Sequence, residues 1–150
     1  MDDGSCLAPE FVCDGDNPTT ANMMNMMLAP YDHFILSADC TLSGELTTTG
    51  DLEIVGQTQD MDNLVTITAA TGQRHFRFTG RPTLTLRYLE LTGGSTTAYP
   101  GGGSIYGGGY LYIHNCIFRN NQAIRWDSSA HYRGRGGALY IDVGSTYIYD

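Results

Sequence analysis

The chain has no lysine; its eight basic residues are all arginine, set against sixteen acidic residues for a net charge of −8. Nucleic-acid binding needs a clustered cationic face to displace counterions, and none is present. An anionic membrane surface repels such a chain for the same reason. No apolar run approaches the eighteen or so residues of a membrane span, so no membrane insertion is expected. Charged residues of both signs make up only 16%, below the roughly 25% usual for soluble domains. Stability is therefore expected from stacked uncharged side chains and backbone hydrogen bonds. No Asn-x-Ser/Thr sequon exists, because Asn17 precedes proline; the threonine-rich stretches leave O-glycosylation open. No Cys-x-x-Cys pair and no Cys/His zinc spacing occurs, so neither a metal nor any other cofactor is implied.

What the chain does have is glycine, nineteen residues in 150, with no collagen triplet. From His33 onward, bursts of three to five apolar or aromatic residues alternate with glycine, Asn-Asn and Thr-Gly, which is strand-and-turn chemistry. The bursts repeat. Leu84–Leu91 followed by Thr-Gly-Gly aligns with Leu111–Phe118 followed by Arg-Asn-Asn at an offset of 27. Gly102-Gly103-Ser-Ile-Tyr106 aligns with Gly136-Gly137-Ala-Leu-Tyr140 at an offset of 34, the polar insert 124–135 absorbing the difference. A repeat that keeps its strands and varies its loops is the mark of a solenoid. Strands this short cannot stand alone, but coils stacked about 4.8 Å apart can pair each strand with its counterpart.

The expected fold is all-β: a right-handed parallel β-helix over residues 33–150 with a short N-terminal capping helix in a cap of residues 1–32. Leu84, Leu86, Leu111, Ile113, Leu139 and Ile148 or its neighbour are expected to share one interior ladder. Gly102, Gly103, Gly136 and Gly137 are assigned to the corners that turn the chain into a strand, and Asn120 and Asn121 to a corner closed by an internal amide ladder. Residues 1–18 read as irregular. A helix beginning at Thr19 or Thr20 and carrying Met23, Met24, Met26 and Met27 fits a lid over the first coil. The last coil stops partway through a repeat, so further coils or a neighbouring molecule are expected to cover it. One disulfide is expected among Cys6, Cys13 and Cys40, in an oxidising, extracellular setting.

GGSIY, GGALY and Phe118-Arg-Asn-Asn121 resemble the GGA(I/L) and FxxN repeats of the polymorphic outer membrane protein type, within the pectin-lyase-like superfamily of right-handed parallel β-helices. The likeness covers roughly residues 75–150 and departs at Ser104, where that pattern has alanine. It implies secreted or surface proteins used for adhesion and scaffolding. The repeats are also similar to those of filament-forming surface glycoproteins of algae and protists, including flagellar hairs.

Catalysis on such a scaffold needs paired carboxylates, or a carboxylate beside arginine, on adjacent coils. The acids after residue 80 are Glu90, Asp127, Asp142 and Asp150, with no aligned pair. The candidate contact residues are Arg125, Trp126, Tyr132, Arg133 and Arg135 in the insert, and the outward-pointing Tyr106, Tyr110 and Tyr112. The function expected is non-catalytic: a structural subunit of an extracellular filament or surface coat, self-associating by stacking and lateral contact. The alternatives are a carbohydrate-active protein whose catalytic coils lie outside this chain, or a glycan-binding adhesin module.

Overall fold

A computed structural model describes residues 10–11, 31–97, 101–124 and 137–150. Its described residues are all-β, and every strand pairing among them is parallel. Numbering the strands along the chain, the first sheet orders β1 (Glu10–Phe11), β2 (Tyr31–Leu36), β5 (Asp51–Gly56), β8 (Thr83–Arg87), β12 (Tyr110–His114) and β16 (Ser145–Tyr149). The second sheet orders β3 (Cys40–Thr41), β6 (Val65–Thr68), β9 (Leu89–Thr92) and β13 (Ile117–Arg119). The third orders β4 (Leu46–Thr48), β7 (Phe76–Phe78), β11 (Ile105–Gly107) and β15 (Leu139–Ile141). A two-stranded sheet joins β10 (Ser95–Thr96) to β14 (Gln122–Ala123). From β2 onward the chain visits the first, second and third sheets in rotation, and each strand pairs with its counterpart one circuit away.

The registers match the repeat offsets. Leu84 pairs with Leu111, Glu90 with Ile117 and Ser95 with Gln122, each 27 residues apart. Ile105 pairs with Leu139, 34 residues on. Alternation along each short strand sends every second side chain inward, as in the pattern of buried and half-buried residues along β5 and β8. Phe34, Ile54, Leu86 and Ile113 stack in one column and are 5%, 1%, 0% and 2% exposed. Leu46, Phe76 and Ile105 form another on the third sheet. Each fully buried aliphatic side chain contributes about 1.5–3 kcal/mol, so the columns carry the fold.

Several expectations need correction. Leu139 does not share the ladder of Leu84 and Leu111; it lies over Ile105 on the third sheet, because its strand belongs to the repeat with offset 34 and not to the one with offset 27. Glu10–Phe11, read as irregular, is a strand that pairs with Ile35–Leu36. The capping helix at 19–28 falls outside the described residues, and those described contain no helix.

Candidate functional site

A polar seam lies buried where the second and third sheets meet. His75 and Ser104, both 0% exposed, stand one circuit apart, with Ser104 Oγ 2.9 Å from His75 Nδ1. The other ring nitrogen, Nε2, lies 3.0 Å from the carbonyl oxygens of both Ile67 and Thr92. Carbonyls only accept, so Nε2 carries the proton and Nδ1 accepts the serine hydroxyl. Burial pushes the His75 pKa down to about 4, against the opposing pull of those two carbonyls. The distance is that of a nucleophile–base pair, but no carboxylate orients the imidazole and neither group reaches solvent. The pair does structural work: its one ring N–H is shared between the carbonyls of Ile67 and Thr92, on adjacent circuits, and ties them to the third sheet. It also accounts for serine at 104, since the histidine one circuit below needs a donor there. Sequence reasoning missed His75; aligning Phe76 with Ile105 places His75 beside Ser104 and is the signal that could have found it.

Beside the seam, Asn121 accepts the Gly94 N–H through Oδ1 at 2.8 Å and donates from Nδ2 to the Leu91 carbonyl at 2.9 Å. This corrects the amide ladder expected at Asn120 and Asn121. The residue below Asn121 is a glycine, so its amide caps backbone instead of another amide. Asn120 takes the left-handed φ of 55°, matching φ of 74° at Gly93 one circuit below. Among the corner glycines, Gly102 has φ of 84° and Gly103 donates to the Gly137 carbonyl at 2.9 Å. A Cβ at Gly103 would collide with the Gly137 and Gln122 carbonyls, so close backbone approach dictates glycine there. Gly136 lies outside the described residues.

The outer face of the first sheet gathers side chains that the sequence left apart. One outward column runs His33, Glu53, Thr85, Tyr112, Tyr147; the next runs Ile35, Val55, Arg87, His114, Tyr149. Arg87 Nε donates to Glu53 Oε1 at 2.8 Å, and His33 Nδ1 reaches Glu53 Oε2 at 2.9 Å. Burial raises the Glu53 pKa, but the hydrogen bonds from Arg87 and His33 outweigh it and hold the carboxyl below its usual value. Higher on the same face, Tyr112 stacks on Tyr147 with centroids 4.8 Å apart and planes 13° from parallel. His114 stacks on Tyr149 at 4.5 Å and 7°. Desolvation and then the Arg87 charge lower the His114 pKa, with Glu53 opposing them. Tyr110 is 46% exposed and pairs in register with Thr83 below and Ser145 above, so it has no ring on either side.

The third sheet carries a smaller cluster. Arg74, 5% exposed, donates to the carbonyls of Gly102 and Gly101 and pairs with Glu45 at 3.1 Å. Its guanidinium lies 5.4 Å from the Tyr106 ring centroid, and that of Arg77 lies at 5.7 Å. Tyr106 stacks on Tyr140 at 6.0 Å. Glu90 is paired with Arg119 at 3.2 Å. Arg125, Trp126, Tyr132, Arg133 and Arg135 lie outside the described residues, as do Cys6 and Cys13. Cys40 is 3% exposed. Cys116 is a free thiol whose pKa burial pushes up, away from reactivity.

Among the described residues, no three His, Cys, Asp or Glu side chains are grouped to hold a metal ion, and no helix is long and apolar enough to cross a membrane. No family model matches the chain, and neither a curated protein nor a solved structure matches it. The reading of function therefore rests on geometry.

Proposed function

We propose that the chain is a right-handed parallel β-helix, a solenoid, that serves as a non-catalytic structural element of an extracellular filament or surface coat. The rotation of the chain through three parallel sheets supports the solenoid. The observation that carries the assembly is Ile148. It tops the column of Phe34, Ile54, Leu86 and Ile113, none more than 5% exposed, yet is itself 66% exposed. The edge of β16 away from β12 pairs with no strand among the described residues. An apolar column with an unpaired backbone edge accepts one more rung, supplied by further chain or by a second molecule. Charge supports a load-sharing role for the circuits: Glu45, Glu53 and Glu90 are each paired with an arginine one circuit away, which ties successive circuits together.

The test is association of the native protein, followed by sedimentation and negative-stain microscopy. Filaments or regular assemblies that are lost in Ile148→Asp, with the urea unfolding of the monomer unchanged, support the proposal. Dispersed monomers at every concentration in the native material overturn it. We further propose that Cys40 is bridged to Cys6 or Cys13. Peptide mapping under non-reducing conditions should find Cys116 alkylated and Cys40 protected; an alkylated Cys40 rules the bridge out.

A further inference from the structure

The tyrosine columns hold pairs of phenols in register on adjacent parallel strands, which places like atoms one rung apart, about 4.8 Å. We propose that Tyr112 and Tyr147 form an oxidative coupling site, where a hydrogen peroxide–driven haem peroxidase joins the two rings and staples β12 to β16 covalently. Each phenol gives up one electron and its hydroxyl proton. The two radicals form a carbon–carbon bond between ring positions ortho to the hydroxyls, and each ortho hydrogen migrates to restore a phenol. The two electrons and two protons reduce one peroxide to two waters. This rests on strand register and ring stacking and holds whether or not the chain assembles.

The structure separates this pair from the other tyrosines. Tyr112 and Tyr147 stack at 4.8 Å and 13°, and Tyr147 is 39% exposed, leaving the rings room to turn and close the gap. Tyr106 and Tyr140 stand farther apart at 6.0 Å and are inclined by 23°. Two guanidinium groups over Tyr106 also disfavour loss of an electron from its ring. Tyr149 stacks on a histidine. Tyr110 is the most exposed tyrosine described but has Thr83 and Ser145 as its neighbours in the column. If exposure governed coupling, Tyr110 would react first; if stacking governs, it stays intact.

The experiment treats the folded chain with haem peroxidase and hydrogen peroxide at a concentration where it is monomeric. Dityrosine fluorescence and peptide mass mapping then read the product. The expected product is one intramolecular cross-link, two hydrogens lighter than the chain, between the peptides holding Tyr112 and Tyr147. Tyr112→Phe or Tyr147→Phe should abolish it, while Tyr110→Phe and Tyr106→Phe should leave its yield unchanged. The phenylalanine variants keep the ring and the stack, so loss of product reports the chemistry and not misfolding. Denaturing the chain before oxidation should scatter the coupling over many tyrosines. Coupling dominated by Tyr110 or by links between molecules overturns the proposal. So does an absence of product when free tyrosine couples under the same conditions.

Discussion

The outward columns of the first sheet change character between β8 and β12. Below, Glu53 is held by Arg87 and His33 across successive circuits. Above, the same two columns hold stacked rings, Tyr112 on Tyr147 and His114 on Tyr149. The backbone register is the same in both regions, so the side chains alone decide what binds one rung to the next. Ion pairs serve where neighbouring rungs differ in sequence and can supply opposite charges. Rings serve where neighbouring rungs repeat, since a parallel in-register ladder sets like beside like, which charges cannot tolerate. Exposure along one inward column runs from 0% at Leu86 to 66% at Ile148.

The largest test of that contrast compares two residues of one inward column. Leu86→Ala, at 0% exposure, is expected to cost about 2–5 kcal/mol in urea unfolding. Ile148→Ala should cost less than about 1 kcal/mol in the monomer, because most of its side chain already meets water. Equal costs would mean that exposure along the column does not set what its side chains contribute.

A second test uses acid. His75 is depressed to about 4 when folded and returns to its ordinary value near 6.5 when unfolded. The unfolded chain therefore binds the extra proton between those values. This contribution is complete above pH 6.5 and is lost as pH falls to 4, a decline of roughly 3 kcal/mol. Glu53 acts in the same direction at lower pH, since its folded pKa lies below its ordinary value of 4.5. Measuring unfolding free energy from pH 7 to 4 in the native chain and in His75→Gln checks the assignment. The variant is expected to lose the slope, and an unchanged slope would clear His75 of the role.

Smaller effects distinguish the two kinds of glue. Glu53→Gln should cost less than about 1 kcal/mol and fade as salt is added. Tyr147→Leu should remove a stacking contribution of about 0.5–1.5 kcal/mol that salt leaves unchanged. Matching salt dependences would erase the distinction. Smallest is a gain at the corner between the first and second sheets. Tyr88 holds a left-handed φ of 53°, where Asn115 one circuit above holds 49°. Asparagine tolerates that conformation better than a bulky ring, so Tyr88→Asn is expected to gain up to about 1 kcal/mol, less what the half-buried ring contributes. Thermal melting reads the sign.

The repeat was legible in the sequence because it is carried by whole strands. The offsets of 27 and 34 reappear as strand registers, and the outward tyrosines lie on outer faces. Two-residue strands were not legible: Cys40–Thr41, Ser95–Thr96 and Gln122–Ala123 have too few residues to show a period of two. The polar seam was hidden for another reason. His75, Ser104 and Asn121 lie in three different circuits, and their meeting depends on which residues stand directly above one another. The Glu53–Arg87 pair was hidden in the same way, since its members are 34 residues apart.

The span from β14 to β15 is fifteen residues, against eight from β10 to β11, yet Ile105 still meets Leu139 in parallel register. Seven added residues leave that pairing in place, because a longer connection costs little extra closure entropy. That corner is therefore a splice port. A foreign insertion between β14 and β15 is expected to leave the Ile105–Leu139 register intact.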